Sequence, residues 1–200
     1  MRDPIDFYFD FSSPYGYFAA ERIDGLASRY ERKVVWHPIL LGVTFKVLGT
    51  APLPSIPVKG PYSLRDIQRT ARYLEVLYRP PSRFPIATQQ AGRAFTWLAD
   101  RSPDVARQFA LAAFRAYFTE DRDLSDLGVV LAVAGGLGVD TDELSAALAG
   151  DELKARFKSD VEAAVARGVF GSPFFIVDGE PFWGSDRLPQ LEKWLAEGGF

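Results

Sequence analysis

The first forty residues constrain the fold most. Residues 5–11, Ile-Asp-Phe-Tyr-Phe-Asp-Phe, alternate apolar and polar side chains among strong β-formers, which predicts a strand. Ser12-Ser13-Pro14 follows at once. A serine cap with proline at the first helical position is a helix start, and the apolar spacing of Tyr17, Ala19, Ala20, Ile23, Leu26 and Ala27 carries that helix to about Tyr30. Lys33 to Ile39, dense in β-branched and aromatic residues, predicts a second strand. Strand, helix, strand at this spacing is a βαβ unit with a parallel pair, and Ser13 stands at its strand–helix junction.

The remainder fills in around that unit. Residues 41–61 are rich in Gly and Pro without sustained period and read as a long irregular loop. Residues 62–79 have helical spacing, 79–85 cannot be helical because of three prolines, and helices are expected at about 88–100, 103–119, 125–136, 140–149 and 151–167. Phe174-Phe175-Ile176-Val177, then Asp178-Gly179, then Glu180-Pro181-Phe182-Trp183 reads as a β-hairpin, followed by a helix at about 187–196. The order is βαβ, an all-helical insertion, then ββα, with both strand units in one sheet. The expected division is residues 1–45 and 168–200 as one discontinuous domain, and 46–167 as a loop plus inserted helical domain.

Several chemistries are excluded by what the chain lacks. It has no cysteine, so it holds no disulfide, thiolate metal site, cysteine nucleophile or redox couple. Its one histidine, His37, lies within an apolar strand-like run and is expected to be a satisfied or half-exposed strand residue, not the base of a Ser-His-Asp triad. Lys and Arg are scattered at a formal net charge of −3, which predicts no nucleic-acid or membrane partner. Arg2, Asp3 and Asp6 leave no apolar signal core after the first residue, and no apolar run approaches the roughly 20 residues of a membrane span, so a cytoplasmic protein is expected. Gly135-Gly136-Leu137-Gly138 follows a helix, not a strand, and is no dinucleotide fingerprint. Asp121, Asp123 and Asp126 lack the glycine and closing glutamate of a calcium loop and read as loop and cap carboxylates.

Three separated segments converge if this topology holds: Ser13-Pro14, Gly171-Ser172-Pro173-Phe174, and Gly184-Ser185-Asp186-Arg187. Together with the stretch from Asp6 to Tyr15, Val169 to Pro173 and Phe182 to Leu188, they resemble the thioredoxin-like superfamily. The resemblance is to its disulfide-oxidoreductase branch with a helical insertion, and within that to 2-hydroxychromene-2-carboxylate isomerases and kappa-class glutathione transferases. Val58-Lys59, Tyr62, Asp66 and Arg69 extend the likeness into the insert.

The resemblance implies an α/β, thioredoxin-like fold, glutathione as cofactor, a small aromatic carboxylate as substrate, and a homodimer. Ser13 takes the place of the redox members' cysteine. A hydroxyl without a base is a poor nucleophile but a good donor, so Ser13 is expected to hold the thiolate of glutathione, aided by the helix N-terminus. Pro173 matches the family's cis-proline, expected to turn the N–H and C=O of Ser172 toward an extended peptide. Gly184, Ser185 and Asp186 would hold the γ-glutamyl end, although Ser185 and Asp186 would also serve as caps of the last helix. Trp183 would be a pocket wall, and Lys59 would meet the glycyl carboxylate. Lys46, Thr88 and Tyr15 are the substrate-binding candidates. A glutathione-dependent isomerase, a kappa-type transferase or peroxidase, and a non-catalytic thioredoxin-like binding module all remain open at this point.

Overall fold

A computed structural model describes residues 3–200. β1 (Ile5–Phe9), α1 (Pro14–Ser28) and β2 (Val34–Pro38) form the expected βαβ unit, and β1 and β2 pair in parallel from Ile5 opposite Val34 to Phe9 opposite Pro38. Seven helices intervene: α2 (Leu41–Leu48), α3 (Lys59–Tyr73), α4 (Gln89–Arg101), α5 (Pro103–Phe118), α6 (Leu127–Gly135), α7 (Thr141–Ala149) and α8 (Asp151–Ala166). The chain closes with β3 (Phe174–Val177), β4 (Glu180–Trp183) and α9 (Leu188–Glu197). The sheet order is β2-β1-β3-β4, with β3 antiparallel to both its neighbours. None of the helices among the described residues is long and apolar enough to cross a membrane.

Alternation along β1 decides how the layers join. Ile5, Phe7 and Phe9 face one side and Tyr8 the other, as a two-residue repeat requires. Phe7 meets Phe175 at 5.3 Å and Trp36 at 4.9 Å, while Phe9 meets Phe95 and Phe114 at 5.4 and 5.7 Å. Phe11, just past the strand, reaches Phe114 at 5.1 Å and Phe109 at 6.1 Å. One continuous core therefore runs from the sheet into the helical segment, each buried Phe contributing about 1.5–3 kcal/mol. Tyr8 packs on the second face with Ile39, Ala164, Val169 and Phe174.

The structure corrects two expectations. Residues 41–61 are not wholly irregular: α2 occupies Leu41–Leu48 and a 3₁₀ turn occupies Leu53–Ser55. Leu40, at the cap position of α2, offers no capping group, so nothing local in sequence marks the start. The acceptor comes from Asp10, whose Oδ2 takes the Leu41 N–H at 2.6 Å. α3 begins at Lys59 rather than 62, since a proline in the first turn removes only an N–H that has no helical partner. It ends at Tyr73 rather than 79, where Glu75 turns to φ 56°.

The hairpin turn, the three loop carboxylates and the histidine stand as the sequence predicts. Asp178 and Gly179 adopt φ 52° and 86° in the hairpin turn, the left-handed pair an Asp-Gly turn needs. Asp126 caps α6 through the Gly128 N–H at 2.7 Å, Asp123 accepts from the Ser125 N–H at 2.9 Å, and Asp121 from the Ser82 N–H at 2.7 Å. His37 is a half-buried strand residue whose Nε2 lies 2.8 Å from Asp6 Oδ1.

α4 and α8 cross closely because position 92 carries no side chain. A Cβ there would lie 2.3 Å from Cζ of Phe157, whose ring is fully enclosed and has nowhere to move. Gly92→Ala is expected to cost about 1–3 kcal/mol, read as a lower denaturant midpoint at unchanged slope in an unfolding titration.

Candidate functional site

Two chain segments 159 residues apart in sequence meet at the N-terminus of α1. Ser13 caps that helix: its Oγ accepts from the Gly16 N–H at 3.0 Å and donates to the Ser172 carbonyl oxygen at 2.8 Å. The Ser172–Pro173 peptide is cis. Ser172 answers with its own side chain, its Oγ accepting the Asp10 N–H at 2.9 Å. Ser13 and Ser172 are both buried. Pro14 has no N–H, and the Tyr15 N–H takes no partner among the described residues, so one donor at the positive end of α1 stays open. The Ser172 carbonyl carries one bond, from Ser13, and has a second lone pair beside it.

Asp10 was not singled out by the sequence, and it is the most connected side chain of the region. It is 2% exposed, and its Oδ1 accepts from the Ser12 N–H and the Thr88 hydroxyl, both at 2.8 Å, while Oδ2 accepts from Leu41. Burial pushes its carboxyl pKa up, opposed by the donors of Leu41, Ser12 and Thr88. Its only sequence signal is a carboxylate three residues before a helix cap, at a position where strand alternation predicts exposure.

The corner after β4, Gly184 to Arg187, lies beside α1. The Gly184 N–H donates to the Pro173 carbonyl at 3.0 Å, and Gly184 itself adopts φ 111°, where a Cβ would also strike Asp186 Oδ1 at 2.4 Å. Ser185–Arg187 form a 3₁₀ turn. Neither Ser185 nor Asp186 makes a capping bond to α9, so the capping explanation of these two residues does not hold. Ser185 is buried, and Asp186 is exposed with its carboxylate 3.2 Å from Arg187. Trp183 is 56% exposed, with its indole against Gly171 and its ring 4.8 Å from Phe170.

The remaining candidates are spread over α1 to α4. Tyr15 donates to Asp66 at 2.5 Å, and Asp66 pairs with Arg69, which bonds the Tyr62 hydroxyl at 3.1 Å. Burial and this carboxylate push the Tyr15 phenol pKa well up, so it stays protonated. Lys46 is exposed in the last turn of α2 and Lys59 is the exposed first residue of α3. Val58, just before Lys59, sits at φ 68°, ψ −48° with the Lys59 N–H bonded to the Pro57 carbonyl, a strained three-residue turn for a β-branched residue. Thr88 is 3% exposed, and its hydroxyl is spent on Asp10.

A serine-capped helix facing a cis-proline loop, on a β2-β1-β3-β4 sheet with a helical insertion, is matched by the family model for DSBA-like thioredoxin domains over residues 4–196. The chain belongs to that family. Within it, the chain is 31% identical to 2-hydroxychromene-2-carboxylate isomerase of Pseudomonas putida, covering 94% of this chain and 92% of that one. It is 27% identical to glutathione S-transferase kappa 2 of Caenorhabditis elegans, covering 98% and 93%. The solved structure of a 2-hydroxychromene-2-carboxylate isomerase superposes with a TM-score of 0.85 at 27% identity, covering 96% and 94%. The DSBA-like thioredoxin fold implied by the sequence is thereby shown.

Close approach of α1 to the Ser172 loop depends on Gly16, where a Cβ would lie 2.6 Å from Ser172 Oγ and 3.3 Å from Ser13 Oγ. Gly16→Ala is expected to push the two apart and cost about 1–3 kcal/mol, measured by chemical denaturation.

Proposed function

We propose that this DSBA-like thioredoxin protein is a glutathione-dependent isomerase of the 2-hydroxychromene-2-carboxylate type. One observation carries the reading: the position that faces the cis-proline loop at the α1 N-terminus holds a serine, in a chain without cysteine. Thiol–disulfide exchange therefore has no protein thiol to run on, and any thiol at the site must come from outside. The residues fit such a guest. An open Tyr15 N–H and the helix dipole favour an anion, the Ser172 N–H suits an extended peptide, and Asp186 offers a carboxylate to an ammonium group.

Bound glutathione would supply a nucleophilic thiolate for reversible addition to the conjugated double bond of the substrate. Ser13 turns its hydroxyl proton from the Ser172 carbonyl toward the sulfur. Trp183 and Pro173 wall the peptide, Gly184, Ser185 and Asp186 hold its γ-glutamyl end, and Lys59 meets its glycyl carboxylate. Lys46 attracts the carboxylate of the aromatic substrate. Tyr15 offers that substrate a ring edge, its hydroxyl being held by Asp66, and Thr88 acts through Asp10.

The similarity to a kappa-class transferase favours a second reading, in which glutathione is consumed by conjugation or peroxide reduction. Wild-type protein is expected to bind glutathione in a calorimetric titration and to isomerise 2-hydroxychromene-2-carboxylate with glutathione undepleted. Stoichiometric loss of glutathione with an aryl halide would favour the transferase, and no binding at millimolar glutathione would leave only a non-catalytic binding module. Ser13→Ala removes a charge-assisted bond of about 1.5–3 kcal/mol, so turnover should fall roughly 10–100-fold and the alkaline shift of the pH–rate profile should report a raised thiol pKa. Undiminished turnover in that variant would place the centre elsewhere.

A further inference from the structure

Three ties that build the thiol end do not use the Asp10 carboxylate, which touches the turn before α1 only where its Oδ1 accepts the Ser12 N–H at 2.8 Å. Ser13 Oγ bonds the Ser172 carbonyl and the Gly16 N–H, and Ser172 Oγ bonds the Asp10 backbone N–H. The opposite is true of α2. Of its eight residues only Thr44 is buried, Val47 and Leu48 are 63% and 51% exposed, and the Thr44 hydroxyl goes back to Leu41 within the same helix. No side chain of its own caps its start, and the Asp10 carboxylate takes the N–H of its first residue at 2.6 Å. The same carboxylate accepts from Thr88 at the start of α4 at 2.8 Å.

We propose that Asp10 is a positioning residue for the substrate end of the site, its Oδ2 fixing the start of α2 and with it Lys46, while the glutathione end is set chiefly by Ser13 and Ser172. This rests on the isomerase reading in one respect, that Lys46 faces the substrate carboxylate. A buried carboxylate suits the task because it accepts from several segments at once and is costly to leave partly satisfied. α2 is a short helix with little packing, so its placement depends on that bond more than a well-buried helix would.

Asp10→Asn keeps the shape and turns one acceptor into a donor that faces an N–H. Amide hydrogen exchange across Leu41–Leu48 is expected to quicken at least about tenfold while Gly16 and Tyr17 stay protected. KM for 2-hydroxychromene-2-carboxylate should rise about tenfold, with the calorimetric Kd for glutathione within about twofold. Lys46→Met should cost little more in the Asp10→Asn background, since both act on one unit. Leu40→Asp, which gives α2 a local cap, should restore both its protection and the KM. Thr88→Val withdraws one donor while leaving the charge, and should produce the same pattern at smaller size even if Asp10→Asn fails to fold. Unchanged α2 protection, equal loss of both ligands, additivity with Lys46→Met, or no rescue by Leu40→Asp would overturn the assignment. If wild-type protein takes up no glutathione, the isomerase reading fails instead, and the exchange measurements still decide the link between Asp10 and α2.

Discussion

At the candidate site one hydroxyl bridges the two halves of the chain. Ser13 ends the first strand–helix turn, Ser172 begins the final hairpin, and the 2.8 Å bond between them closes a loop of 159 residues. That bond is not strong enough to close such a loop alone, since a neutral hydrogen bond contributes about 1 kcal/mol net. The sheet does the closing: β1 and β3 pair antiparallel through Asp6 to Tyr8, and Phe7 packs on Phe175. The helical segment from α3 to α8 is tied into the same core by Phe9 and Phe11, so it can be long without loosening the junction. Ser13 and Ser172 then need only short-range bonds to reach their final geometry.

How much of this could be read in advance follows from where each signal lies. The βαβ unit and the hairpin are set by local chemistry, Ser13-Pro14 and Asp178-Gly179, and both stand where expected. The start of α2 could not be read because its cap comes from Asp10, 31 residues away. Asp10 itself was hidden by its register. It falls on the polar side of the strand alternation, as Asp6 does, yet Asp6 meets His37 and Arg167 near the surface while Asp10 lies beneath α2 and α4. Strand pattern predicts a face and says nothing of what later covers it. Ser185-Asp186 shows the reverse error: its composition is that of a helix cap, and the intervening 3₁₀ turn holds it off α9.

The lone histidine illustrates how position excludes a role. His37 lies on the edge strand, stacked on Tyr8 at 4.6 Å and bonded to Asp6, on the face of the sheet away from the aromatic core that α1 joins. Ser13 has no imidazole beside it and gains nothing from its neighbours as a nucleophile. What its neighbours do supply is orientation, with one acceptor at Ser172 and one donor at Gly16 fixing both sides of the hydroxyl.

That fixed hydroxyl has a consequence for selectivity under the isomerase reading. Its single proton is already placed on a neutral carbonyl, so a neutral thiol would have to displace one ordinary hydrogen bond with a weaker one. A thiolate offers a charged acceptor instead, and such bonds are roughly twice as strong as neutral ones. The exchange is favourable only for the ionised sulfur, and the Tyr15 N–H at the positive end of α1, which has no bond to give up, favours an anion through the helix dipole instead. A hydroxyl that is satisfied at rest thus discriminates between the two protonation states more sharply than a free one. A redox relative must carry a sulfur of its own; on the isomerase reading, a serine and a helix end would select the reactive form of a borrowed one.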